Sequence, residues 1–180
     1  MRRCISLRLL KNHRLMSFLI RHGDEKDVPG MFKLVKELAE FERAPEAVVN
    51  TEHILLEDGF GKHSIYKVFI AEEVATGDVI GMALYYTAYS TWKGRIIYLD
   101  DLVVTERFRK FGIGKRLLNE VLKEAEQRGV NQIRWQVLEW NEPAIKMYEK
   151  VGVTFDPEWI DCKMSKEQIS SYVASLQPKF

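Results

Sequence analysis

Two periods of hydrophobicity run along this chain, and each change of period marks the edge of an element. "SFLIRH", residues 17–22, is a short apolar run that predicts a first strand. Asp24 is placed to cap the helix after it. In "VPGMFKLVKELAEFE" the apolar residues recur at 31, 34, 35, 38 and 41, one face of a helix that Pro45 ends. A second short helix, about 51–58, stops at Gly59. "IYKVFIAEEV" (65–74) and "VIGMALYYTAY" (79–89) are rich in β-branched and aromatic residues and flank Ala75-Thr76-Gly77-Asp78, the pattern of a hairpin. "GRIIYLDDLVVT" (94–105) is a third long strand. A glycine-rich loop comes next, then a helix to about Arg128 with Gly129 past its end. "NQIRWQVLEW" (131–140) predicts a strand, and "NEPAIKMYEKVG" (141–152) a helix with Pro143 in its first turn. "TFDPEWIDCKM" reads as a broken final strand pair, and the tail from Lys166 as a helix. The order β-αα-β-β-β-α-β-α-β predicts a mixed α/β fold, antiparallel in its front half, with a helical crossover joining later strands.

Composition narrows this picture. The chain has 180 residues, 46% hydrophobic and 29% charged, which suits one compact domain. A net charge of +1 gives no argument for nucleic acid or a membrane as partner. Cys4 and Cys162 lie far apart without metal-site spacing, so neither a disulfide framework nor a zinc site is expected. The expected setting is reducing and cytoplasmic. The opening sixteen residues, "MRRCISLRLLKNHRLM", hold five bases and no acid. They read either as a transit-like segment or as an upstream start, with the domain proper running over 17–180. Without those bases the remainder is mildly acidic, which favours a cationic small substrate.

The candidate chemistry begins at "VVTERFRKFGIGKRLLNEVL". Helix N-termini carry unpaired N–H groups and a partial positive charge, so this strand–loop–helix junction is an anion site. Gly112 and Gly114 let the main chain approach the anion, and Arg109 can add a charge-assisted contact. A pyrophosphate suits the site, although no G-K-[ST] is present and the third Rossmann glycine is missing. Lys115 and Arg116 read as solvent-facing or phosphate-contacting cations. Asn141, Ala144 and Tyr148 share one helix face, where a tyrosine serves packing or catalysis. Asp100 and Asp101 interrupt an apolar strand; regular alternation points them to opposite faces, as salt-bridged acids or with one in a cleft. Tyr85, Tyr86, Tyr89, Trp92 and Trp159 are either strand core or the wall of a pocket.

These stretches also carry a resemblance. "VVTERFRKFGIG" resembles the acetyl-CoA-binding motif of the GNAT N-acetyltransferases, and "LEWNEPAIKMYEKVG" their following strand–helix motif. "LLEDGFGKH", "YYTAYSTWKGRIIYLDDLVV" and "EWNEPAIKMYEKVG" resemble the diamine acetyltransferases, which include the spermidine/spermine and thialysine enzymes. The similarity runs over about residues 17–165. It implies the acyl-CoA N-acyltransferase fold, a mostly antiparallel sheet splayed around the cofactor and flanked by helices. It implies that the main chain of Arg109, Lys110, Phe111, Gly112, Ile113 and Gly114 holds the CoA pyrophosphate. Leu102, Val103 and Val104 would run beside the pantetheine arm, and Asn141, with Ala144 on its face, would meet the cofactor. Tyr148 would be the general acid, and Asp100 would stand where a glutamate relays the amine proton through water. Glu42, Asp101 and Trp159 match positions that hold the amine.

The resemblance further implies direct attack of a primary amine on acetyl-CoA through a tetrahedral intermediate, without metal, in a homodimer that uses residues of both chains. Two departures bear on the amine. Asp100 is one methylene shorter than the usual glutamate, and Ser90 replaces the aspartate of the polyamine enzymes' "YDPW". A shorter or amino-acid-like amine is then favoured over spermine. The competing readings are another acceptor (aminoglycoside, amino acid or protein amine), a cofactor-binding sensor without turnover, and a nucleic-acid module built on the loop's cations.

Overall fold

The computed structural model describes residues 5–9 and 15–176. Six strands form one sheet in sequence order: β1 (Ile5–Leu9), β2 (Leu15–His22), β3 (Lys67–Glu73), β4 (Val79–Ser90), β5 (Gly94–Val104) and β6 (Ile133–Arg134). The first four pairings are antiparallel, and β5 with β6 is parallel. The predicted first strand thus begins two residues earlier and gains a partner, β1, inside the basic N-terminal segment. The rest of that segment lies outside the described residues.

Helices cover both faces of the sheet. Helix α1 (Val28–Phe41) starts behind a short 3-10 turn, Glu25–Asp27, whose cap is Asp24, and not directly at Asp24 as the sequence suggests. Asp27 is buried and takes both terminal nitrogens of Arg21 at 2.6 and 2.7 Å, which fixes the start of α1 against β2. Met31 and Leu34 of α1, with Leu55 of α2 (Glu52–Phe60), pack on Met82, Leu84 and Val103. Tyr66 pins α2 by donating its hydroxyl to the Leu55 carbonyl. The alternate residues of β4 face the other way, toward α3 (Ile113–Gln127). There Gly81 lies beside Leu117, and Arg128, which ends α3, sits over the Tyr85 ring. The amphipathic spacing of α3 is realised in full, with Ile113, Leu117, Leu118, Val121 and Ala125 buried.

The chain divides into two compact units after Leu138. The second holds α4 (Glu142–Glu149) and α5 (Lys166–Ser175), the latter opened by a capping box from Ser165. Two sequence expectations give way here. The predicted ten-residue strand at 131–140 reduces to the two residues of β6, and 154–164 contains no strand. A period-2 pattern makes a strand only where a neighbouring edge accepts its hydrogen bonds.

Candidate active site

Strand β5 changes phase in its middle. Tyr85 pairs with Leu99, but Leu84 pairs with Asp101, so Asp100 is an extra residue in a β-bulge. On the near side of the bulge the Ile97 N–H donates to Gln132, toward β6. On the far side the Thr105 N–H donates to Ile80 beyond the start of β4, which commits Val103 and Thr105 to that neighbour. Leu102 and Val104 therefore turn their main-chain N–H and C=O groups to the opposite edge. Strand β6 pairs only as far as Tyr98, so beyond the bulge that edge has no strand partner among the described residues and can accept an added extended ligand. Of the three residues expected beside the pantetheine arm, Leu102 and Val104 present main-chain groups to the open edge. Val103 instead buries its side chain against α1.

The bulge also moves the acids. Regular alternation would send Asp100 and Asp101 to opposite faces, and the structure corrects that expectation. Asp101 lies opposite Leu84, on the face covered by α1, because directly paired residues share a face. Asp100 follows Leu99, which pairs with the α3-facing Tyr85, so alternation puts Asp100 on the α1 face as well. The charge of Glu42, the residue that closes α1, also reaches Asp101. Burial first, then the neighbouring charges of Asp100 and Glu42, push the Asp101 carboxyl up to about 7. Burial raises Asp100 as well. Like charges held together in a partly dry site resist simultaneous ionisation, so this cluster attracts a cation and can take up a proton.

Tyr86 stacks on Tyr98 at 5.3 Å beside the acids. It is the member of the aromatic set that joins this face. Tyr85 is fully buried on the α3 side, and Tyr89, Trp92 and Trp159 are 76, 84 and 68% exposed. Of the four aromatics in the first unit, Tyr85 and Tyr86 thus face opposite sides of the sheet and do not form one wall. The parity of β4 already separates Tyr85 from Tyr86; the hairpin tip at Trp92 carries no comparable signal.

The glycine loop is held at both ends by buried apolar residues, Phe108 and Ile113. Between them Lys110 and Gly112 adopt left-handed backbone, with φ of 68° and 81°. Gly112 is the N-cap of α3 and offers no side chain to cap it, and the first turn contains no acid. The first helical bond runs from the Arg116 N–H to the Gly112 carbonyl. The N–H groups of Ile113, Gly114 and Lys115 therefore lack helical partners and point out of the helix start, toward an anion. These features fit the pyrophosphate of a CoA thioester, and the open β5 edge fits its amide-bearing arm.

Two cations of this region have partners within the protein. The Arg109 N–H donates to Glu106 and its Nε to the Val104 carbonyl at 3.0 Å, while its guanidinium lies 4.8 Å from the centre of the Phe41 ring. Arg116 is partly buried with its guanidinium over Phe18, so it is not a solvent-facing cation.

In the second unit, Asn141 caps α4, its Oδ1 accepting the Ala144 N–H. Asn141, Ala144 and Tyr148 share one helix face as the spacing predicts. Tyr148 is buried, and burial pushes its hydroxyl up to about 12, so it keeps its proton at neutral pH. Trp159 sits in an exposed stretch without regular structure.

The chain is similar to known proteins in sequence and in fold. Residues 28–153 match the acetyltransferase (GNAT) family. Over 140 residues the chain is 39% identical to the thialysine N-epsilon-acetyltransferase of Bos taurus, covering 74% of this chain and 82% of that protein. It is 31% identical over 160 residues to the human spermidine/spermine N(1)-acetyltransferase-like protein 1, covering 84% of this chain and 23% of that longer protein. Its fold superposes with a TM-score of 0.66 on the aminoglycoside N-acetyltransferase AAC(6')-Iy in complex with CoA, covering 87% of this chain and 99% of that one at 19% identity. The protein belongs to the GNAT acetyltransferase family and is an acetyl-CoA-dependent N-acetyltransferase. Within that family it falls with the diamine acetyltransferases.

Proposed function

We propose that the acceptor is a primary amine of a lysine-like compound or a short diamine, with thialysine as its representative. The observation that carries this reading is the bulge at Asp100, which puts Asp100 and Asp101 on one face of β5, where the charge of Glu42 also acts on Asp101. A lysine-like substrate arrives as a cation, because an alkyl amine has an unperturbed pKa of about 10.4. Glu42 and Asp101 attract the ammonium and orient it. Ser90 supplies no carboxylate farther out, so a long polyamine loses an anchor for its distal nitrogen.

The ammonium is not nucleophilic until it loses a proton. Asp100 at the bulge receives that proton through water, and Asp101, already poised near neutrality, shares the load. Bound acetyl-CoA supplies the activated acyl thioester. The main-chain N–H groups of Ile113 and Gly114, with Lys110, Phe111 and Gly112 around them, hold its pyrophosphate. Leu102 and Val104 align the arm along β5, and the Leu102 N–H is the nearest donor for charge that develops on the acyl oxygen. Asn141 and Ala144 border the cofactor, Tyr148 donates its proton to the leaving sulfur, and Trp159 covers the amine. Residues 17–180 carry the catalytic machinery, with β1 from the basic N-terminal segment added to the sheet, in a cytoplasmic homodimer.

The test is a thiol-release assay with acetyl-CoA against thialysine, lysine, ornithine, 1,3-diaminopropane, spermidine and spermine. Turnover is expected with thialysine and the short diamine and to be weakest with spermine. Acceptor-independent release alone, or a preference for spermine, refutes the reading.

A further inference from the structure

Arg109 stands in the cofactor loop, yet its side chain is engaged elsewhere. Its N–H is bonded to Glu106 and its Nε to Val104, the last residue of the open β5 edge. The flat guanidinium lies over Phe41. Phe41 is the final residue of α1, and the next residue is Glu42. The chain then turns through Arg43 in a left-handed conformation, φ 61°, with the Ala44 N–H donating back to Ala39. A non-glycine residue in that conformation is strained and needs its surroundings to hold it. The stacked guanidinium supplies such a hold, since a cation over an aromatic face is attractive and Arg also packs flat upon it.

We propose that Arg109 is a positioning residue that ties the acid-bearing end of α1 to the cofactor edge of β5, so that occupation of one is coupled to the order of the other. A ligand laid along Leu102–Val104 meets the carbonyl that Arg109 already grips. Ordering that carbonyl orders the guanidinium, the Phe41 ring and the Glu42 backbone behind it. The inference rests on the lysine-like amine reading only for the meaning of Glu42; the mechanical tie stands on Arg109, Val104 and Phe41.

The experiment measures amide hydrogen exchange across residues 38–44 with and without CoA, beside CoA affinity and the thialysine KM. In the wild type, CoA is expected to slow exchange in that segment. Arg109→Gln is expected to abolish this response and to raise the thialysine KM about fivefold or more, a typical coupling magnitude. Phe41→Leu, which leaves every charge and the whole loop in place, is expected to reproduce both effects with CoA affinity near wild type. Arg109→Lys, which keeps the cation but loses the fork, is expected to recover only part of them.

A wild-type segment whose exchange ignores CoA overturns the proposal. So does an Arg109→Gln variant that weakens CoA binding alone, because the side chain would then be a simple phosphate ligand. Failure of the amine reading looks different: no amine releases thiol, while the exchange response of the wild type and its loss in both variants persist.

Discussion

The two ends of the open β5 edge are made of different materials. At the proposed cofactor end the surface is main chain: N–H groups at the start of α3, a left-handed Gly112, and the edge groups of Leu102 and Val104. At the proposed amine end it is side chain: Asp100 and Asp101, under the charge of Glu42 and beside Tyr86. A main-chain surface reads the shape of its ligand and tolerates many side chains, provided that the backbone angles survive. A cluster of carboxylates reads charge and depends on each member. The difference explains why one frame can keep its cofactor while its acceptor changes.

Substitutions at the two ends, and at the acid on α4, separate these modes. The largest effect is expected from Tyr148→Phe. Turnover should fall by about a hundredfold or more, the scale of general acid catalysis, while CoA affinity measured by calorimetry stays unchanged. Next comes Gly112→Val, which forces a β-branched residue into left-handed backbone at a cost of about 1–2 kcal/mol and should weaken CoA binding roughly tenfold. The amine KM for this variant at saturating cofactor should stay near wild type; a rise there breaks the division between the two ends.

Asp101→Asn is expected to act on the amine KM by several-fold and, in the opposite sense, on stability. Asp101 titrates at about 7 in the folded protein and near 4 when unfolded, so between those values the folded state holds a proton that the unfolded chain has released. Its contribution to stability is complete below about pH 4 and disappears as pH rises through 7. The Asn variant should therefore melt higher than wild type at pH 8 and show a flatter pH dependence between 4 and 7. The smallest effect belongs to Lys110→Gly. It removes a loop cation but relieves a left-handed lysine, and CoA affinity should stay within about threefold of wild type because the phosphate surface is backbone. A large loss would return the loop to side-chain recognition.

The contrast also governs how much can be read from residues alone. The glycines of the loop and the cap at Asn141 are local, and so are legible: their angles and spacing depend on neighbours within a few residues. The hairpin and the faces of α1 and α3 are legible for the same reason. The amine end is not local. "LDDL" shows two consecutive polar residues in an apolar strand, which is the trace a bulge leaves, but regular alternation is the simpler reading and sends the two acids apart. The strand expected at 131–140 is too long because its pattern is sound and its partner is not: β5 turns away after Tyr98. Arg109 looks like an anion ligand because nothing nearby in sequence announces Phe41, 68 residues earlier in the chain.

The bulge itself has one more consequence. Every β4 residue from Gly81 to Ser90 keeps a partner on β5, and Asp100 has none, so Asp100 is surplus to the ladder. Its excision would slip no other pair and bury nothing new. It would, however, put Asp101 directly after Leu99 in regular alternation and leave one carboxylate, not two, on the face toward α1. A single supernumerary residue thus doubles the charge on that face without disturbing the ladder around it.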